Sequence, residues 1–141
     1  MRDKGFVHLF VYGTLQHAHV WRSVVRGEYT SRQAILEGFM ASELKGAVYP
    51  GLIKKEGEIT PGMVYFDISR EDILRLDAFE GNNYERVEVY PMLNNNESVI
   101  THAYMYKGSK NMLVNVPWSY EQYLKFGHEK FLAGYGGWRK I

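Results

Sequence analysis

The chain contains no cysteine, which excludes disulfide bridges, thiolate nucleophiles and cysteine-based zinc sites. It also lacks a surplus of charge of either sign: 17 Lys and Arg against 16 Asp and Glu leave a formal net charge of +1. A protein built mainly to hold a phosphate backbone carries a basic imbalance, so nucleic acid is not an expected partner. No apolar run approaches the length of a membrane span, and no membrane partner is expected. Phe6 to Tyr12 is too short for a signal core, carries His8, and has no small-residue cleavage site after it. A cytoplasmic setting is the expectation. No Ser or Thr stands in a triad context, and no repeat, linker or low-complexity tract breaks the chain.

What is present suits one domain over residues 1–141, long enough to bury a core without staples. Hydrophobic residues make up 45% of the chain, well away from the composition of disorder. There are 11 tyrosines, more than packing usually demands; Tyr is apolar along its ring and polar at its tip, and so suits the lining of a wet pocket.

Phe6 to Tyr12 is a continuous apolar run ending at Gly13, the pattern of a central strand. Val20 to Val25 predicts a short helix ended by Gly27, and Ala34 to Leu44 a strand bent or bulged at Gly38. Tyr49-Pro50-Gly51-Leu52 reads as a turn. Gly57-Glu58-Ile59 and Gly62 to Ile68 read as separate strands. Ser69 is a good helix N-cap, with Glu71 and Asp72 in the first turn; Ile73, Leu76 and Phe79 recur at helical spacing until Gly81. Tyr84 to Met92 and Ser98 to Tyr106 predict a hairpin across Asn94-Asn95-Asn96. Trp118-Ser119 opens a last helix running to about Ala133, and Gly134 to Trp138 reads as a tail. Strands outnumber helices, so the expected class is α+β, a small mixed β-barrel or strongly curved sheet flanked by a few helices.

Two segments can carry chemistry. In Val11-Tyr12-Gly13-Thr14-Leu15 a strand ends at a glycine, where successive N–H groups can converge on an anion and Thr14 adds a hydroxyl. It lacks the second Gly and the Lys of a nucleotide-binding loop, and on pattern alone a strand ending in a glycine-containing turn is the favoured reading. In Leu76-Asp77-Ala78-Phe79-Glu80-Gly81, Glu80 sits at a helix C-terminus, where the dipole disfavours negative charge and raises a carboxyl pKa. Such a carboxyl suits general acid/base work near neutral pH. Asp77, three residues earlier, shares its face, which leaves open a carboxylate-pair hydrolase. His17-Ala18-His19 lacks an obvious third metal ligand, and His102 reads as a satisfied or exposed strand histidine.

Taken in order, the Tyr12–Leu15 turn, the Leu76–Gly81 segment and the strand opening Tyr84-Glu85-Arg86 resemble the gamma-glutamylcyclotransferase-like family, in its gamma-glutamylamine cyclotransferase and avirulence-induced-gene-like branch. The Tyr49–Leu52 turn and the Ala103–Tyr106 strand extend the resemblance. It implies a compact barrel with flanking helices and a cofactor-free, metal-free reaction on a small gamma-glutamyl substrate. In that reaction the substrate's α-amine attacks its γ-carbonyl, releasing 5-oxoproline and an amine or amino acid. It further implies Glu80 as the acid/base, with Tyr12, Gly13, Thr14, Leu15, Tyr84 and Tyr106 around the substrate. Tyr104 and Tyr106 share a strand face by alternation and are not separated by sequence. A non-catalytic binding module on the same fold is the alternative.

Overall fold

The computed structural model describes residues 6–130; the expected tail at Gly134–Trp138 and the last residues of the final helix lie outside them. The elements run β1 (Val7–Val11), a 3-10 turn (Thr14–Gln16), α1 (Ala18–Val24), β2 (Ser31–Leu44) and β3 (Pro50–Ile68). They continue with α2 (Arg70–Glu80), β4 (Tyr84–Val89), β5 (Met92–Leu93), β6 (Thr101–Tyr106), β7 (Leu113–Pro117) and α3 (Tyr120–Gln122), which widens into a π turn over Tyr123–Gly127. The seven strands form one mixed sheet in the order β4-β6-β1-β3-β2-β5, with β7 on β2. This path is open, so of the two expected forms the curved sheet is observed and the closed barrel is not.

Curvature comes from the long strands. β3 pairs antiparallel with β1 through its second half (Leu9↔Tyr65, Val11↔Met63) and meets β6 near its start (Leu52↔Met105). The segments expected as separate strands at 57–59 and 62–68 are thus one strand, held by the partner β2 along its length. The register between β2 and β3 shifts between Glu37 and Phe39, which is the bulge expected at Gly38. Tyr49-Pro50-Gly51 is not a turn: Pro50 opens β3, where a missing N–H does no harm. The chain reverses earlier, around Gly46, with Ala47 N–H donating to the Leu44 carbonyl.

β1 is buried on both faces, which is why its apolar run is continuous rather than alternating. Leu9 and Val11 face a core built with α1 and α2, including Trp21, Ile73, Leu76 and Phe79. Phe10 and Tyr12 face a second core with Leu36, Leu52, Val64 and Ala103. Trp21 stacks on Tyr65 with ring centroids 3.7 Å apart, seating α1 on the sheet.

Where β3 leaves β1, Gly62 lies so close that an added Cβ would stand 2.3 Å from the Val11 carbonyl oxygen and 2.8 Å from the Phe10 ring. The obstructing atom is backbone in the central strand, so it cannot rotate away. Gly62→Ala is therefore expected to destabilise the protein by about 2–3 kcal/mol, read as a lower denaturant midpoint at unchanged m-value.

Candidate active site

β1 delivers the chain to Tyr12 and Gly13 at the edge of the helix-covered core, and the 3-10 turn redirects it into α1. Helix α2 runs toward the same place and stops there, at Gly81 with φ 82°, a conformation suited to glycine. Its register explains Glu80: Ile73, Leu76 and Glu80 fall at i, i+3 and i+7, one helical stripe. Glu80 therefore occupies a position that the apolar pattern would give to a core residue. Between the turn and the helix end lies a cavity of about 40 Å3. The turn residues Tyr12, Gly13, Thr14 and Leu15 line it opposite Glu80, and Tyr84 lines it too.

Tyr104 and the Tyr49-Pro50 pair complete much of the wall. Gly13 is pressed against Pro50, whose Cδ would stand 3.0 Å from a Cβ at this position. A side chain here would push the turn off the wall. The Gln16 side-chain amide donates to the Tyr12 carbonyl at 2.9 Å and to the Gly13 carbonyl at 3.3 Å, turning both carbonyls toward itself. The amides of Thr14 and Leu15 open the 3-10 turn, where a helix has no acceptor of its own to offer.

The Glu80 carboxyl has its pKa pushed up to about 8, first by burial and then by the negative charge of Asp77. The same field acts outward. Burial and then Glu80 hold the Tyr12 phenol well above its ordinary range. The Tyr104 phenol is also raised, by burial first, then by its hydrogen bond to Asp77 and the charges of Asp77 and Glu80.

The tyrosines divide the work. The Tyr12 hydroxyl donates to the Tyr104 carbonyl at 2.6 Å and accepts from the Leu52 N–H at 3.3 Å, so it ties three strands together beneath the cavity. Tyr12 thus contributes its ring and backbone to the site. The Tyr84 hydroxyl donates to the Pro50 carbonyl at 2.6 Å and closes the wall across β4 and β3. Tyr104 lines the cavity, whereas Tyr106 does not. Tyr106 packs edge-on against Tyr84, 5.8 Å between centroids, over Gly51, and its hydroxyl donates to the Ser109 carbonyl at 2.8 Å. Both tyrosines share a strand face, as alternation requires; Tyr106 is one repeat too far along β6 to reach the cavity.

Asp77 is engaged elsewhere than with Glu80. Its Oδ1 accepts from the Tyr104 hydroxyl at 2.6 Å and from Arg86 Nε at 2.9 Å, and its Oδ2 from Arg86 Nη2 at 3.3 Å. The remaining Arg86 nitrogen, Nη1, lies 2.5 Å from His102 Nδ1. The antiparallel register sets Arg86 directly opposite Tyr104 and Glu88 opposite His102, which brings the four side chains to one face. Burial and then Arg86 lower the His102 pKa, and because a guanidinium can only donate, Nδ1 is the acceptor in this contact.

Sequence reasoning missed the Tyr49-Pro50 wall, because the pair reads as a turn, and assigned Arg86 no role. The interruption of an apolar helix stripe by Glu80 was a usable signal, and so was the position of Arg86 in the strand that follows. His17 lies outside the cavity lining: it caps α1 by accepting from the His19 N–H, and its ring stacks on His128 with centroids 4.0 Å apart. Among the described residues no group of three His, Asp or Glu side chains is placed to hold a metal ion. No described helix is long and apolar enough to cross a membrane.

Comparison with known proteins agrees with this architecture. A family model described as "Gamma-glutamyl cyclotransferase, AIG2-like" matches residues 9–125. AIG2-like protein A of Arabidopsis thaliana is 29% identical over 126 residues, 89% of this chain and 76% of its own length. A solution structure of an Arabidopsis thaliana protein superposes with a TM-score of 0.70 at 28% identity, covering 96% of this chain and 92% of that one. A yeast gamma-glutamyl cyclotransferase specific to glutathione shares the fold, with a TM-score of 0.64 at 14% identity over 80% of this chain and 74% of its own. The matched segment takes in the Tyr12–Leu15 turn, Glu80 and the strand that carries Arg86, and on that match the chain belongs to the gamma-glutamyl cyclotransferase, AIG2-like family.

Proposed function

We propose that the protein is a cofactor-free cyclotransferase that converts a gamma-glutamyl amide to 5-oxoproline and a free amine or amino acid, with Glu80 as acid and base. The observation that carries this is the meeting of Glu80 with the Tyr12–Leu15 turn, distant in sequence, across one cavity. Family membership supports it.

In this reaction the α-nitrogen bonds to the γ-carbonyl carbon and the original amide C–N bond breaks. The substrate ammonium sheds two protons on becoming the lactam N–H, and the leaving nitrogen gains two on departing as an ammonium ion. A carboxyl that relays them leaves the proton balance closed and consumes no water. Glu80 is matched to the task, because its pKa of about 8 lies close to neutral pH, where one carboxyl can both take up and return a proton. Thr14 and Leu15 line the cavity, and in this reading their turn amides and the Thr14 hydroxyl serve as donors for the substrate's oxygens. The tight walls at Pro50 and Tyr104 would hold the glutamyl chain folded, as ring closure requires.

Asp77 is a poor partner for hydrolysis, since Arg86 and Tyr104 occupy its oxygens. A carboxylate-pair hydrolase would release glutamate, and a binding module would release nothing. Incubation with a panel of gamma-glutamyl amines and dipeptides, read by mass spectrometry, is expected to give 5-oxoproline from at least one. Its absence across the panel contradicts the proposal. The kcat/KM profile is expected to rise through an acid limb near pH 8, where Glu80 of the free enzyme gains its negative charge.

A further inference from the structure

We propose that Arg86 is a positioning residue for the Glu80 carboxyl: its contacts with Asp77 fix that carboxylate against Tyr104 and offset its charge at the cavity. This rests on Glu80 as the reacting carboxyl. The geometry supplies the argument. Asp77 and Glu80 are three residues apart on α2, so their carboxylates lie on adjacent positions of one helix face. Left alone, Asp77 could turn toward Glu80 or out to water. Arg86 Nε and Nη2 hold both of its oxygens, at 2.9 and 3.3 Å, while the Tyr104 hydroxyl takes a second bond on Oδ1 at 2.6 Å.

The guanidinium is itself aimed. It projects from β4 and is steadied on its far side by His102 Nδ1 at 2.5 Å, an acceptor on the neighbouring strand β6. His102, Arg86, Asp77 and Tyr104 thus form a continuous chain from strand to helix and back, ending at the cavity wall. The titratable groups around Glu80 are Asp77 on its own helix and the tyrosines that line the same cavity: Tyr12 just after β1, Tyr49 just before β3, Tyr84 on β4 and Tyr104 on β6. Of these Asp77 supplies the negative charge, and Arg86 is the cation bonded to it. Asp77 raises the Glu80 pKa, so a cation on Asp77 limits that rise. Removing Arg86 and neutralising Asp77 must then move Glu80 in opposite directions, a signature that loosened packing alone does not produce.

The test is carbon-detected NMR titration of the Glu80 side-chain carboxyl in full-length protein labelled at glutamate, with the resonance assigned by its loss in Glu80→Gln. Asp77→Asn is expected to lower the Glu80 titration by on the order of one pH unit, and Arg86→Gln to raise it by a similar amount. Arg86→Lys restores the charge without the planar fork, and is expected to recover more than half of the Arg86→Gln shift. Shifts in the same direction, no shift in either variant, or an Arg86→Lys titration equal to that of Arg86→Gln would each overturn the proposal. If Arg86→Gln does not fold, Arg86→Lys is compared with the parent instead: Glu80 is expected to titrate above the parent by less than about half a pH unit, and a titration at or below the parent's, or an unshifted Glu80 in Asp77→Asn, overturns the proposal. The titration needs no turnover, so failure of the cyclotransferase assignment shows in the product assay and failure of this proposal in the NMR. With an active substrate, the acid limb of kcat/KM is expected to move in the same order across the variants.

Discussion

Glu80→Gln is expected to reduce 5-oxoproline release by about 10³-fold or more, the scale of losing a positioned acid/base group, while the protein stays folded and keeps its affinity for substrate. The isosteric amide cannot relay protons, yet it fills the same place at the end of α2. The variant should also change the pH dependence of stability, with a definite sign. In the parent, the folded-state pKa of about 8 lies above the ordinary carboxyl value of 4.5. Between these values the folded state binds more protons than the unfolded one, so this group's contribution to stability falls as pH rises and is fully lost above about 8. Glu80→Gln has no such loss, and at pH 9 it is expected to melt several degrees higher than the parent. Matched thermal melts at pH 5 and pH 9 check this. A variant that keeps parental turnover would remove Glu80 from the mechanism.

The largest stability effect is expected at a residue outside the cavity. Asp72 is fully buried, with a side-chain exposure of 2%, at the start of α2. Its carboxylate accepts from the N–H groups of Arg26 and Gly27, both at 2.9 Å, from the Tyr29 hydroxyl at 2.6 Å and from Arg75 Nη1 at 2.6 Å. These bonds fasten the link between α1 and β2 to the helix that carries Glu80. Burial alone would raise its pKa, but the hydrogen bonds from Tyr29, Gly27, Arg26 and Arg75 together outweigh it and leave the pKa lowered. Asp72→Ala strands those donors and is expected to cost about 3–5 kcal/mol in chemical denaturation. Because the folded pKa is depressed, the parent keeps this group's stabilisation above the unfolded carboxyl pKa and loses it as pH falls through the folded value. Asp72→Asn, which cannot ionise, is expected to lose that acid-side slope while retaining part of the bonding.

Asp72 also shows how much was legible before the fold was known. Its place after Ser69 reads as first-turn helix chemistry, and the Ser69 cap is there, its hydroxyl accepting from the Asp72 N–H at 3.2 Å. The bonds to Arg26 and Gly27 were not legible, because they join residues more than 40 positions apart. The same division holds at the site. The strand end at Gly13 and the helix end at Glu80 follow from local pattern, since an apolar run, a cap and a glycine stop are properties of neighbouring residues. That they face each other is a property of the pairing of β1 with β3 and β6. Tyr104 and Tyr106 illustrate the limit: alternation assigns both to one face, and only the end of β6 over Gly51 separates them. Continuity of β3 was hidden by Pro61 and Gly62, which read as a break yet sit within the ladder opposite Ile35 and Ala34.

The central claim is that Glu80 serves an intramolecular aminolysis, in which the substrate's own amine displaces its amide and water takes no part. Turnover of a gamma-glutamyl amide in water enriched in oxygen-18 tests this most directly. The expected product is 5-oxoproline carrying no label, formed at a rate that Glu80→Gln lowers by about 10³-fold or more. Glutamate with one labelled oxygen, or 5-oxoproline that has acquired label, would show that water attacks the carbonyl and would contradict the account.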